Sequence, residues 1–171
     1  ANLGVLLANK GHKVLSIDAD LGAANLHTMF GMEGSRLSLS SFLKGQVADI
    51  RNMISPTGID GLDIISGARD SLDIADAGTA AISRIEDALL ELDYDYVLLD
   101  IAPGTSSNML EFFLMSDAGL LVTTPEPTSV ENTYRFLKCL FLKRIKHLIN
   151  SGGNAELKEK LRKAIDTNPK I

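Results

Sequence analysis

The segment "KVLSIDADLGAAN", residues 13–25, contains the pattern that decides the fold: a short apolar run, two aspartates one residue apart, and then a glycine. The run over 13–18 predicts a short buried strand. Asp18 and Asp20 then lie where the strand ends and a turn begins. Because aspartate and glycine are ordinary turn residues, this segment alone fits a solvated turn at least as well as a binding site. The rest of the chain has to decide between them.

Similar apolar runs recur along the 171 residues and alternate with helical patterns. Further strands are predicted at 62–68, 96–102 and 118–126. Helical patterns occupy most of the intervening chain, at residues 38–45, 77–93, 107–117 and 128–150. Continuous apolar strands separated by helices are typical of a parallel sheet that is covered on both faces. We therefore predict an α/β fold, with a doubly wound, mostly parallel sheet and helices on both faces.

In such sheets, ligands bind beyond the carboxyl ends of the strands. The residues predicted at that edge are Asp18–Asp20, Gly67, Asp100–Gly104 and Thr123–Glu126. An aspartate that ends an apolar strand is typical of the Walker B arrangement, which holds Mg²⁺ directly or through water, although it can also cap the next helix. A glycine just after it allows backbone N–H groups to approach a phosphate closely. Two such turns favour magnesium and phosphate binding over a solvated turn.

Three motifs now carry a specific resemblance: "DADLGAAN" (18–25), "DIAPG" (100–104) and "TTPEPTS" (123–129). Together with the residues around them, they resemble the MinD/ParA family of P-loop ATPases, whose phosphate loop is a deviant Walker A, and within it the FlhG (FleN) flagellar-number regulators. The resemblance extends from residue 1 to about 138. It implies a P-loop NTPase-like fold that is truncated at both ends.

The resemblance also implies an activity. Members of this family bind ATP with Mg²⁺, form a homodimer when ATP is bound, and hydrolyse ATP slowly until a protein partner activates them. By position, Asp20 in the first switch would be the catalytic residue that orients the attacking water. Asp18 would support Mg²⁺ through its water shell, and Asp100 matches the Walker B aspartate. The function implied is a nucleotide-dependent dimerisation switch in spatial or numerical regulation of division sites, flagella or cargo.

The same resemblance assigns three nucleotide-binding residues. Gly104, with Pro103 before it, matches the second switch, which senses the γ-phosphate. Asn25 lies in the first switch and would help to order it. The segment "TTPEPTS" fits a loop beside the nucleotide or the dimer interface, without individual contacts being assigned.

The chain departs from the family at both ends. It begins without methionine and already in a helical pattern, with Leu3, Leu6 and Leu7 on one face, as expected of a piece cut from a longer protein. The family's phosphate loop is expected just before Ala1, and a final strand after Ile171. We therefore expect the full-length parent to be an ATPase and this piece alone to be inactive. Peripheral membrane association would use a segment outside this chain.

Charge is distributed unevenly. Residues 1–133 hold 7 Lys and Arg against 19 Asp and Glu, whereas residues 134–171 hold 10 against 3. We assign 1–150 to the nucleotide-switch domain and 151–171 to a basic helical extension or insertion. The basic part is either a docking surface for a partner or a solvated extension, and the sequence leaves both open. The alternative function is thus a non-hydrolysing interaction protein that binds partners through these helices.

Other classes of function fit less well. The basic part lacks the aromatic residues with which single-strand binders stack bases, so a nucleic-acid partner is not expected. No G-x-G-x-x-G follows a predicted strand, which argues against a Rossmann dehydrogenase. The single cysteine cannot form an internal disulfide, and with no secretory signal pattern in the sequence we expect a cytoplasmic protein.

Overall fold

The computed structural model describes residues 1–20, 24–35, 37–67 and 78–150, together with residues 156, 158–160 and 163. The chain divides into two compact units, Ala1–Met115 and Ser116–Ile171, and each is described by itself. The first unit contains the helices and strands α1 (Asn2–Ala8), β1 (Val14–Asp18), α2 (Leu26–Met29), α3 (Leu39–Leu43), a 3₁₀ helix (Ile50–Met53), β2 (Ile54–Ile59), β3 (Leu62–Ile65), α4 (Gly78–Leu90), β4 (Tyr96–Asp100) and α5 (Ser107–Met115). The second contains α6 (Pro127–Asn150).

The strands form one sheet in the order β2-β3-β1-β4. The central strand β1 is parallel to both β3 and β4, and β2 is antiparallel to β3. This confirms the predicted α/β fold with a mostly parallel sheet. The sequence analysis did not predict β2. Its signal was the Asp60–Gly61 pair, a dipeptide common in hairpin turns, just before the apolar run of β3, with Pro56 tolerated because β2 lies at the edge of the sheet.

Helices cover both faces of this sheet. On one face, side chains of β1 and β3 pack with residues of α3, α4 and α5 in a core of Leu15, Ile17, Ile65, Leu39, Phe42, Ile82, Ile85, Leu89 and Phe112, among others. On the other face, Val14 and Leu62 pack against Ala8 of α1. Burying each large aliphatic side chain contributes about 1.5–3 kcal/mol, so β1, which is buried at all five positions, anchors the unit.

The face of α1 that packs on the sheet is not the leucine face. Leu3 and Leu6 are 42% and 60% exposed, whereas Gly4 and Ala8 are buried. A Cβ at Gly4 would lie 3.0 Å from Ser16 Oγ and 3.2 Å from a Leu62 methyl carbon. Gly4 and Ala8 therefore lie where α1 comes closest to the sheet, and of the three leucines only Leu7 packs, partly buried, against this cluster.

The strand predicted at 118–126 is wrong. That segment has no regular secondary structure and is not among the four strands of the described sheet. Leu120 is 76% and Val122 is 94% exposed, so its apolar side chains lack the burial that a central parallel strand has. Composition favoured a strand here, but a strand also needs a neighbour for its backbone hydrogen bonds. None of the helices described is long and apolar enough to cross a membrane.

Candidate functional site

Three polar residues lie side by side at the carboxyl ends of the parallel strands. Asp18 of β1 is paired in register with Asp100 of β4. On the other side, Ile17 pairs with Ile65, so Ser66, the next residue, lies beside Asp18. The Ala19 N–H donates to the Asp100 carbonyl at 2.8 Å and extends the ladder by one bond. The edge therefore presents Ser66, Asp18 and Asp100 in that order across three neighbouring strands.

Asp18 closes the turn that follows β1. Its side chain is almost fully buried, with 2% of the residue exposed. Oδ1 accepts a hydrogen bond from the Asp20 N–H at 3.1 Å, and Oδ2 accepts one from the Leu26 N–H at 2.9 Å. One carboxylate thus ties both ends of the segment between β1 and α2, which fixes where Asp20 leaves the sheet.

The electrostatics of this edge are dominated by carboxylates. Burial raises the pKa of Asp18 above its usual value, and the negative charges of Asp100 and Asp20 raise it further, while the two backbone hydrogen bonds act in the opposite direction. Like charges held this close make the ionised site costly in the absence of a cation. A divalent cation at this edge would relieve that repulsion.

The donor set fits Mg²⁺ that arrives with a nucleotide rather than a protein cage for a metal. Among the described residues, no group of three or more His, Cys, Asp or Glu side chains is placed to hold a metal ion. Mg²⁺ typically takes one or two carboxylates and completes its octahedron with water and substrate phosphates. Asp18 and Asp100, at adjacent strand ends, offer the one or two carboxylates that such a site uses.

The other predicted residues of the first switch lie on the same turn. Asp20 is half-buried just beyond Asp18. Asn25 is exposed at the start of α2, where its side chain makes no capping hydrogen bond and its carbonyl accepts one from Thr28 Oγ1 at 2.6 Å. The structure therefore brings Asp18, Asp20 and Asp100 together and leaves the Asn25 side chain at the surface.

The second predicted switch follows β4. Pro103 and Gly104 are exposed in the loop between β4 and α5, so they leave the same edge of the sheet as Asp100. Gly104 has φ +121°, a conformation that side-chain-bearing residues rarely adopt, and a Cβ there would come no closer than 3.5 Å to another atom, Met109 Sδ. The glycine is needed for the backbone conformation, and a Cβ there would be in ordinary van der Waals contact with the Met109 side chain.

In the second unit, Ser129 holds the "TTPEPTS" segment together. Its Oγ accepts a hydrogen bond from the Thr124 N–H at 3.0 Å and lies 3.0 Å from Thr123 Oγ1. The helix predicted at 128–150 is confirmed as α6. Most of the predicted basic extension, 151–171, lies outside the described residues.

Sequence reasoning missed Ser66. It is 4% exposed, and its Oγ has no hydrogen-bond partner among the described residues. His27 is also buried, and its Nδ1 has no partner in that part of the chain either. Only the strand register places Ser66 beside Asp18, so no local sequence signal could have identified it.

Comparison with known proteins gives consistent results. The model of a family described as "AAA domain" matches residues 1–155. An uncharacterised ATP-binding protein of Methanocaldococcus jannaschii is 35% identical over 139 residues, which are 79% of this chain and 50% of that protein. The antiactivator FleN of Pseudomonas aeruginosa is 30% identical over 145 residues, covering 81% of this chain and 49% of FleN.

A solved structure extends the comparison to the fold. The septum site-determining protein MinD of Pyrococcus horikoshii, complexed with Mg-ADP, has a TM-score of 0.69 and 29% identity over 81% of this chain and 57% of that one. The chain thus spans about half the length of the curated relatives it matches. From the family match, these relatives and the shared fold, the chain belongs to the MinD/ParA-like family of P-loop ATPases.

Proposed function

We propose that the full-length protein is a slowly hydrolysing ATPase of the MinD/FlhG type that dimerises when ATP is bound and regulates the position or number of a cellular structure. The observation that carries the proposal is the pairing of Asp18 with Asp100 at adjacent strand ends, with the turn to Asp20 closed by the Asp18 carboxylate. Phosphoryl transfer needs positioning and neutralisation of charge, which are the two properties this edge provides.

Asp18 and Asp100 are the proposed magnesium residues. Asp100 is exposed at the end of β4 and is accessible to a bound ion. Asp18 is buried, and both of its oxygens accept backbone hydrogen bonds, which supports a contact through water rather than direct ligation. When bound, Mg²⁺ would neutralise charge on the nucleotide phosphates. The carboxylates would in turn fix its position relative to the turn.

Asp20 is the proposed catalytic residue. Its backbone N–H is fixed by Asp18 Oδ1, so its side chain leaves the sheet from a defined point. Orienting a water molecule for in-line attack needs a carboxylate that accepts a hydrogen bond from it. A side chain that begins at a defined point beside the magnesium residues can do this at little entropic cost.

The γ-phosphate would be sensed by the two loops that leave this edge. Gly104, with Pro103 before it, is exposed and has a backbone conformation reserved for glycine, which supports close approach of a phosphate oxygen. Asn25 at the start of α2 would help to order the first loop. Two loops held by one phosphate group are a recurrent switching device in nucleotide hydrolases.

The remaining assignments complete the proposal. Residues 1–150 are the nucleotide-switch domain and 151–171 a basic extension or insertion of it. The partners are a second ATP-bound copy and an activating protein, and the location is cytoplasmic, with attachment to the inner face of the membrane through a segment outside this chain. FleN's description as an antiactivator supports a regulatory role.

A second function remains a candidate because of α6. This helix exposes Val130, Tyr134, Leu137, Phe141 and Leu148, which recur at spacings of three, four or seven residues along one face. An exposed apolar stripe on a basic helix is typical of a docking surface. A non-hydrolysing interaction protein would use that face and would not need Asp20.

The experiment compares ATP turnover and dimerisation of the full-length wild type with Asp20→Ala. We expect slow turnover by the wild type and a loss of about 100-fold or more in Asp20→Ala, which should accumulate as an ATP-bound dimer. Asp93→Ala is the matched control, since Asp93 is exposed and pairs with Lys13 just before β1. It should leave turnover unchanged. A wild type that neither binds nor hydrolyses ATP would exclude the ATPase and favour the interaction protein.

A further inference from the structure

Gly67 lies directly against the turn after β1, where it approaches Asp18, Asp20 and Ala24 of the motif at 18–25. A Cβ on Gly67 would lie 2.6 Å from the Ala24 Cβ, 2.9 Å from the Asp18 carbonyl oxygen and 3.0 Å from the Asp20 carbonyl oxygen. Atoms of real Cβ groups essentially never come within 3.0 Å of such neighbours. The residue after Ser66 therefore has room for a hydrogen atom and for nothing larger.

We propose that Gly67 is a positioning residue for Asp20. Because Gly67 has no side chain, the chain just after β3 can lie directly against the first switch and hold Asp20 where catalysis requires it. The inference rests on the proposed function for the meaning of that geometry. The contact itself is a property of the fold and is independent of ATP hydrolysis.

The contacts on either side of Gly67 determine what must move if it gains a side chain. The end of β3 is fixed, since β3 pairs with β1 and the Ser66 carbonyl accepts the Leu39 N–H at 3.0 Å. Asp18 is fixed as well, because β1 pairs with β4 through Asp100. Asp20 and Ala24 lie outside these ladders. A Cβ at residue 67 would therefore displace Asp20 and Ala24 more readily than the Asp18 carbonyl, which moves only with β1.

Two of the three crowded atoms are backbone carbonyl oxygens, which cannot rotate away as a flexible side chain can. Gly4 offers the contrasting case in the same unit. A Cβ there would lie 3.0 Å from Ser16 Oγ and 3.2 Å from Leu62 Cδ1, both of them side-chain atoms. Gly4→Ala therefore crowds a close helix–sheet contact without touching the turn.

The test uses the full-length protein and four variants: Gly67→Ala, Gly4→Ala, Ala24→Gly and the double variant Ala24→Gly/Gly67→Ala. Displacement of a reacting group by about 1 Å costs about 100-fold in rate, so we expect Gly67→Ala to lower kcat by about 100-fold. The KM for ATP should change by less than about 3-fold, since Asp18, Asp100 and the second loop at Gly104 remain in place. Gly4→Ala should keep the wild-type kcat.

The double variant tests which contact matters. Ala24→Gly removes the nearest crowded atom, so the double variant should recover about 10-fold of the lost kcat relative to Gly67→Ala, and the carbonyl contacts should account for the rest. A second readout needs no ATP. The Leu26 N–H donates to Asp18 Oδ2, and its hydrogen exchange should accelerate by about 10-fold in Gly67→Ala if the turn is displaced.

The outcomes separate the two proposals. Wild-type kcat and wild-type Leu26 exchange in Gly67→Ala would overturn the positioning role, as would an equal loss of kcat in Gly4→Ala. If the wild type hydrolyses no ATP, the proposed function fails, and Leu26 exchange still decides whether Gly67 sets the turn. If Gly67→Ala does not fold, the double variant compared with Ala24→Gly supplies the same two readouts.

Discussion

Tyr94 offers a test of the fold at the end of the sheet opposite the candidate site. Its hydroxyl donates to Asp63 Oδ2 at 2.7 Å and ties the segment before β4 to β3, with β1 lying between them. Tyr94→Phe removes this bond and keeps the ring. A hydrogen bond to a charged acceptor contributes about 1.5–3 kcal/mol. Because Asp63 is half-buried and water can reach it, the lower value applies, and we expect a loss of about 1.5 kcal/mol.

The measurement is the free energy of unfolding of the full-length protein from denaturant titration, together with Tm, which should fall by about 3–6 °C. The matched control is Tyr96→Phe, two residues along, where the tyrosine is 42% exposed. It should change stability by less than about 0.5 kcal/mol. ATP turnover should be unchanged in both variants. Equal stability of the two variants at neutral pH would refute the assigned role of the hydrogen bond.

The pH dependence gives a second check on Tyr94. Burial, and then the hydrogen bond to the Asp63 carboxylate and its charge, raise the pKa of the Tyr94 hydroxyl well above its usual value. The folded state thus retains this proton where the unfolded state releases it, and the contribution to stability is complete below about pH 10 and lost above it. Above about pH 10, the free energy of unfolding of the wild type should fall relative to that of Tyr94→Phe by at most about 1.4 kcal/mol per pH unit, and by less where solvent screens the group. If the stability advantage of the wild type over Tyr94→Phe widened above pH 10, this assignment would be contradicted.

Two further predictions concern the core and the hairpin. Ile17 is fully buried in the sheet, so Ile17→Ala should cost about 2–5 kcal/mol in denaturant titration, whereas Leu6→Ala at an exposed position should cost less than about 0.5 kcal/mol. Gly61 has φ +79°, and a Cβ there would lie 2.9 Å from the His12 carbonyl oxygen, while Gly58 has φ +83° and no atom within 4 Å. Gly61→Ala should therefore be at least about 1 kcal/mol more destabilising than Gly58→Ala by thermal unfolding, and equal losses would show that the clash is relieved.

Much of the fold was predictable because its signals are local. The apolar runs at 13–18 and 96–102 predicted β1 and β4 to within two residues, and the periodicity over 77–93 and 128–150 predicted α4 and α6. Parallel strands covered on both faces are apolar on both faces, so a continuous apolar run favours a strand. The run at 118–126 has the same composition and is not a strand, since pairing depends on neighbours that composition does not report.

The candidate site was predictable to the extent that it follows from topology. Parallel strands bring their carboxyl ends to one edge, so Asp18 and Asp100 were expected to be near each other, and the register confirms that they are adjacent. The place of Ser66 beside Asp18 depends on the register of β3 with β1, and the proposed role of Gly67 depends on its contact with the turn after β1, about 45 residues away in sequence. Only the folded structure shows a contact of that kind.

The two edge strands of the described sheet, β2 and β4, differ in how readily each could pair with a further strand. At one end, β2 contains Pro56, which has no N–H to offer a neighbouring strand. At the other end, β4 runs without proline or glycine, and its apolar residues Val97, Leu98 and Leu99 are only half-buried. Backbone pairing with a further strand is thus favoured beside β4 and impeded beside β2.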